Sequence, residues 1–141
     1  MPDFEPIRVF LDANVLFSAS YSDRNRFLQF WRMEGVAPVT SRYAIAEVRG
    51  HLIRAGHLER FEALVAKTGL VSDVDLRIIP SGVVVVEKDR PILAAAIGAS
   101  TGYLVTGDKN HFSHLYHATV GFVSVISPTE FLDRFADRVI N

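Results

Sequence analysis

Short apolar runs alternate with helix-forming segments along this chain, and several of the runs are followed closely by a carboxylate. No other feature constrains the fold as much. Ile7-Arg8-Val9-Phe10-Leu11 is β-branched and apolar, and reads as a buried strand leading straight into Asp12. Residues 36–39 form a second short strand, made irregular by Pro38. Val83, Val84, Val85 and Val86 give the clearest strand signal, and their unbroken apolar character predicts a strand covered on both faces. Residues 103–106 and 122–126 supply the last two strands.

Between these runs the spacing turns helical. Residues 14–33 carry apolar positions at helical intervals, with a polar break at 20–25. Thr40 or Ser41 can cap a helix that starts at Tyr43, runs to about Arg54 and stops at Gly56. Residues 58–67 read as another helix, closed by Gly69, and residues 70–79 are ambiguous. Asp89 stands where a helix cap belongs, Pro91 falls in the first turn, and the body at 92–100 is apolar nearly all round, so that helix is expected to be buried. Ser127-Pro128-Thr129-Glu130 is a capping box opening a helix through Val139. Alternation of this kind predicts an α/β protein with three layers, α/β/α, around a mostly parallel sheet.

Composition narrows the class. With 141 residues, 49% of them hydrophobic and 22% charged, the chain is expected to form one domain over 1–141 and not a disordered tail. It has no cysteine, which removes disulfides and thiolate zinc sites. A net charge of −1 argues against a protein that coats itself with nucleic acid, yet leaves room for a local basic face. The longest apolar runs, 83–86 and 92–99, fall far short of the ~18–20 residues a bilayer needs. The acidic start, Met1-Pro2-Asp3-Phe4-Glu5, is unlike a signal peptide, and the expected setting is the cytoplasm without a membrane partner.

The acids fall at matched places. Asp12 follows the first strand, Asp89 follows residues 83–86, and Asp108 follows residues 103–106 across Gly107. In an open parallel sheet the strand C-terminal ends share one edge, and ligands bind there. Glu47 joins them if its helix begins at that edge. Taken singly, each acid is well explained as a cap or turn residue. Turn chemistry, however, does not require four of them to share an edge. Two like charges about 4 Å apart cost on the order of 4 kcal/mol at an effective dielectric of 20, which protons or cations must relieve. Oxygen ligands select hard cations such as Mg²⁺ or Mn²⁺, which can orient a hydrolytic water and polarise a phosphodiester.

Residues 9–16, Val-Phe-Leu-Asp-Ala-Asn-Val-Leu, resemble the opening motif of PIN-domain ribonucleases. Ser41 with Glu47 six residues later is similar to their second motif, residues 89–96 to their third, and Leu104-Val105-Thr106-Gly107-Asp108-Lys109-Asn110-His111-Phe112 to their fourth. Residues 126–132 are similar to the entry of their last helix. The resemblance runs in order along essentially the whole chain. It implies a Rossmann-like sheet bearing an acidic, Mg²⁺- or Mn²⁺-dependent site that cuts single-stranded RNA. Many bacterial members are VapC-like toxins paired with an antitoxin protein, and homodimers are usual. Carried over by position, Asp12, Glu47, Asp89 and Asp108 would be the catalytic, metal-binding acids. Asn14 and Thr106 would orient them, with Asn110 as a further supporting residue. The chain departs from the family at Ala13, where a hydroxyl is common, and at Asn110, where some members place another acid.

Basic residues cluster around the helix that carries Glu47: Arg42, Arg49, His51, Arg54, His57 and Arg60. Arg42, Arg49 and Arg54, with Lys109, are candidates to hold an RNA backbone beside the acids. An ordinary exposed helix face is the plainer alternative. His111, His114 and His117 form a spaced trio that reads as a solvated loop in preference to a metal clip. Phe17, Phe27, Phe30 and Trp31 have helical spacing that favours core packing over base stacking.

The leading expectation is therefore a metal-dependent endoribonuclease acting on single-stranded or structured RNA, as the toxin of a toxin–antitoxin pair. A catalytically degenerate PIN module that binds RNA or a protein is the first rival. A phosphatase or phosphoacceptor using Asp12 is the second, and Asn14 in place of a further acid counts against it.

Overall fold

The computed structural model describes residues 6–52 and 54–140, so the expectation for Met1–Glu5 lies outside the described residues. Six strands form one sheet in the order β3-β2-β1-β4-β6-β5. They are β1 (Ile7–Leu11), β2 (Val36–Ser41), β3 (Gly69–Val71), β4 (Tyr103–Val105), β5 (Thr119–Val120) and β6 (Val123–Ile126). All pairings are parallel except β5 with β6. The strand order reverses between β1 and β4, which places the topological switch point of the sheet there.

Alternation within β1 explains the two-sided burial. Val9 and Leu11 enter one core and Phe10 the other, all three with no exposed surface. On the Val9 side lie α1 (Ala13–Ala19), α2 (Arg42–Arg49), α3 (Ala55–Val65) and α6 (Pro128–Arg134). On the Phe10 side lies α4 (Arg90–Gly98), whose residues Ile92 to Ala96 are all fully buried, as its apolar circumference predicts. Helices on both faces of a mostly parallel sheet make the expected three-layer α/β/α architecture. No helix among the described residues is long and apolar enough to cross a membrane.

The four valines are not a strand. Residues 83–86 take no regular secondary structure and join no strand ladder, after a turn containing Gly82, whose φ is +89°. Only Val85 is buried, while Val84 is 74% exposed. Apolar sequence makes a strand only where a neighbouring strand offers a ladder. Here β1 is flanked by β2 and β4, and the edge beyond β2 is taken by β3 from the ambiguous stretch.

Other boundaries shift for local reasons. The helix bearing Glu47 ends at Gly50, so Gly56 lies inside α3 and stops nothing. The break at 20–25 separates α1 from a 3₁₀ helix, Arg26–Trp31. Ser127 caps α6 as expected, its hydroxyl accepting from Glu130 N at 3.2 Å. That helix nevertheless stops at Arg134, and a 3₁₀ turn follows at Ala136–Arg138. Pro38 is tolerated in β2 because the ladder with β3 begins only at Val39. A hairpin joins β5 to β6 through Gly121 (φ +54°) and Phe122 (φ +70°), both left-handed as a tight antiparallel turn demands.

Candidate active site

Asp12 ends β1 and caps α1, accepting from Ala13 N through Oδ1 at 2.6 Å. Its Oδ2 accepts the Thr106 hydroxyl at 2.8 Å and Asn14 Nδ2 at 3.2 Å. Thr106, just past β4, is fully buried, and its hydroxyl also accepts from Asp108 N at 3.2 Å. Asn14 Oδ1 accepts from Gly107 N at 2.8 Å. A side chain at position 107 would crowd that oxygen, since a Cβ there would stand 3.2 Å from it. These bonds tie the ends of β1 and β4 together across the switch point.

Asp108 repeats the device. One oxygen caps α5 (Lys109–Phe112) by accepting from His111 N at 3.2 Å, and the other lies 2.7 Å from His111 Nδ1. Asp89 behaves differently from expectation. It occupies the cap position of α4, yet its side chain makes no capping hydrogen bond. Instead Asp89 Oδ2 lies 2.7 Å from His111 Nδ1. That approach lacks hydrogen-bond alignment, so Asp89 Oδ2 and His111 Nδ1 are buried without a hydrogen-bond partner among the described residues. Tyr43, at the start of α2, helps hold this segment by donating its hydroxyl to the Lys88 carbonyl.

Asp12, Asn14, Glu47, Asp89 and Asp108 line one cavity of ≈ 270 Å³, with Phe17, His51 and Lys88 among its other walls. Five of the predicted site residues are thus brought together, and Thr106 stands behind them. Asn110 and Lys109 are exposed on α5 and are not among the residues lining this cavity. Lys88, not singled out from the sequence, is the lysine that is.

Electrostatics set the cavity's character. Burial pushes Asp12 up from 3.8 to about 6, partly opposed by its bonds from Thr106 and Ala13 and reinforced by the charges of Asp89 and Glu47. Burial also raises Glu47, with the Asp89 charge adding to it. Asp89 is raised by burial and drawn partly back by His111. Asp89, Asp108 and His111 each offer a ligand atom, all within 4.8 Å of one another. Two anionic oxygens at that range repel by about 3 kcal/mol at an effective dielectric of 20. A buried, unpartnered carboxylate oxygen among acids whose burial disfavours ionisation is a donor set that fits a divalent cation.

The histidine trio separates. His111 joins the acids, His114 Nε2 meets the Val84 carbonyl at 2.6 Å, and His117 Nε2 meets Glu130 at 2.7 Å. His111 therefore packs among the acids and is not part of a solvated loop. The signal available was Asp108-x-x-His111, the three-residue spacing that faces a cap residue back onto its own helix. The arginines separate too. Arg49 is locked to Glu62 by two bonds of 2.7 Å. Arg42 lines a different depression beside Leu70 and Asp73, and Arg54 lies in a groove adjoining the acidic cavity.

An acidic cleft at the switch point of a mostly parallel, three-layer sheet defines an α/β protein with a ligand site at its strand ends. Residues 8–110 match the family model described as PIN domain, and the chain belongs to that family. The matched span contains all four acids and ends just before His111. The fold is similar to a solved structure described as VapBC2 from Rickettsia felis bound to a DNA fragment from their promoter. The TM-score is 0.61 at 12% identity, over 86% of this chain and 98% of that one. No curated protein sequence matches the chain.

Proposed function

We propose that this protein is a Mg²⁺- or Mn²⁺-dependent endoribonuclease that hydrolyses phosphodiesters of single-stranded or structured RNA. One observation carries the reading: Asp12, Glu47, Asp89 and Asp108, from four separate segments, face a single cleft in which Asp89 Oδ2 is buried and unpartnered.

Asp12, Asp89 and Asp108 would hold the cation, with Glu47 completing the set. When bound, such an ion supplies Lewis-acid polarisation of the phosphodiester and a water acidic enough to attack it. The chain's own residues do the positioning. Thr106 and Asn14 fix the Asp12 carboxylate by hydrogen bonds to Oδ2. Tyr116 donates to the Thr106 carbonyl at 2.7 Å and steadies that residue in turn. Lys88, on the cleft wall, supplies a cation for a substrate phosphate. No side-chain nucleophile is required.

Pairing with an antitoxin is supported by the fold shared with the VapBC2 complex, and the family resemblance adds a homodimer as the expected assembly. The test is an RNA cleavage assay with Mn²⁺, Mg²⁺ or EDTA, run on wild type and Asp12→Asn. Cleavage that needs the ion and is lost in the variant is expected. A fully active Asp12→Asn protein would refute the assignment of the site, and a wild type that cuts with neither ion would leave a PIN module that binds without cutting.

A further inference from the structure

Beside the acidic cleft lies a second groove of ≈ 280 Å³, lined by Phe17, Tyr21, His51, Leu52, Arg54 and His57. Phe17 and His51 line both cavities, so the two adjoin. Their polarity is opposite: the first is walled by carboxylates, the second by aromatic and basic groups with no acid among its lining residues.

Tyr21 is 52% exposed, on the turn that follows α1. That turn is pinned. Arg60 donates to the carbonyls of Ser20 and Tyr21, both at 2.9 Å. Asn25 Nδ2 donates to the carbonyls of Ala19 at 2.9 Å and Ser22 at 3.1 Å. The His57 ring centroid stands 4.3 Å from that of Tyr21, and Phe17 meets Tyr21 edge-on at 5.2 Å. An exposed aromatic ring on a backbone already held in place is a preorganised platform, with little conformational freedom left to lose on binding.

The polar groups are equally free to act. The Arg54 side chain makes no hydrogen bond or ion pair among the described residues, in contrast to Arg49 and Arg60. His51 uses Nδ1 on the Glu47 carbonyl at 2.7 Å, which leaves Nε2 for another partner. A polyanion gains little from the neighbouring carboxylates, so affinity for it must come from beside the cleft.

We propose that this groove is a nucleotide subsite: a base of single-stranded RNA stacks on Tyr21 and His57, and Arg54 takes the adjoining phosphate. The proposal rests on the nuclease reading above and adds where the strand is held outside the bond that is cut. Stacking tolerates any base, because every base has a π-face, so the subsite grips unpaired RNA with little sequence preference.

The test is fluorescence anisotropy with fluorescein-labelled hexauridylate in EDTA, alongside RNA cleavage by the same proteins in Mn²⁺. Tyr21→Ala is expected to weaken hexauridylate binding about tenfold and Tyr21→Phe to keep it within about twofold. Arg54→Ala should weaken binding and lower the magnitude of its salt slope by about one. In the cleavage assay Tyr21→Ala should raise KM while leaving kcat near wild type. Thermal melts verify that each variant folds. If wild type cuts RNA while Tyr21→Ala and Arg54→Ala bind hexauridylate as wild type does, the subsite is wrong and the nuclease reading stands. If wild type neither binds hexauridylate nor cuts RNA with Mn²⁺, the nuclease reading fails and takes the subsite with it. Variants that lose affinity for an acidic peptide but keep it for hexauridylate would give the groove to a protein partner instead.

Discussion

His111 Nδ1 lies 2.7 Å from Asp89 Oδ2, joining the start of α5 to the start of α4. The same nitrogen is 2.7 Å from Asp108 Oδ2. The imidazole therefore separates two carboxylates that would otherwise face each other. Removing it by His111→Ala is expected to cost the metal-free protein about 1–2 kcal/mol, because the Asp89 and Asp108 carboxylates lose the group that stands between them. Urea denaturation in EDTA measures this, and an unchanged midpoint would show that the contact does no structural work.

Asp12 makes stability depend on pH in a defined direction. Its folded value of about 6 lies above the ordinary 3.8, so the folded state holds the proton more tightly than the unfolded state. The resulting stabilisation is complete below about pH 4 and is lost as pH rises through about 6, a swing on the order of 3 kcal/mol. Asp12→Asn keeps the shape and removes the charge. In EDTA it should therefore be more stable than wild type at pH 7.5 by roughly 1–3 kcal/mol, with the gap closing by pH 4. Chemical denaturation at the two pH values tests this, and a gap that does not narrow would contradict it.

Cation binding must displace the Asp12 proton where one is present. Protons should be released on adding Mn²⁺ at pH 6, and fewer at pH 8. Calorimetry in two buffers of different ionisation enthalpy reads their number directly. A hundredfold excess over the dissociation constant should also add about 2.7 kcal/mol of stability to wild type, reversed by EDTA and largely missing from Asp12→Asn. Identical apparent enthalpies in both buffers at pH 6 would place the ion elsewhere.

Thr106 acts through Asp12. Thr106→Val preserves the volume but removes the donor to Oδ2 and the acceptor for Asp108 N. We expect Mn²⁺ affinity to fall about 10–100-fold, as is common when a ligand loses its orienting partner, with Thr106→Ser restoring most of it. Fluorescence or calorimetric titration with Mn²⁺ decides the matter. An affinity equal to wild type would reduce Thr106 to packing.

What was legible in the sequence was what local chemistry determines. Ile7–Leu11 reads as a strand because both faces are covered, and Asp12 can be placed because a strand end adjoins a helix start. Ser127 declares its helix through a cap three residues long. Non-local outcomes were not legible. Residues 83–86 have every local attribute of a strand and no neighbour to pair with, while β3 earns its place only by lying beside Val39. Two cap-like acids proved to be caps and cleft residues at once, but Asp89 turned its carboxylate away from its own helix. The basic face divided on contacts that no spacing reveals, with Arg49 held by Glu62 and Arg60 by the carbonyls of Ser20 and Tyr21.

The sheet ends in three residues at one margin, β3, and two at the other, β5. Such stubs offer a foreign strand almost no ladder to extend, and β5 is moreover folded back on β6 by its hairpin. A chain that is nearly half hydrophobic thereby closes off edge-to-edge aggregation through strand length alone. Lengthening either stub by a few β-branched residues would reopen that route while leaving every cleft residue in place.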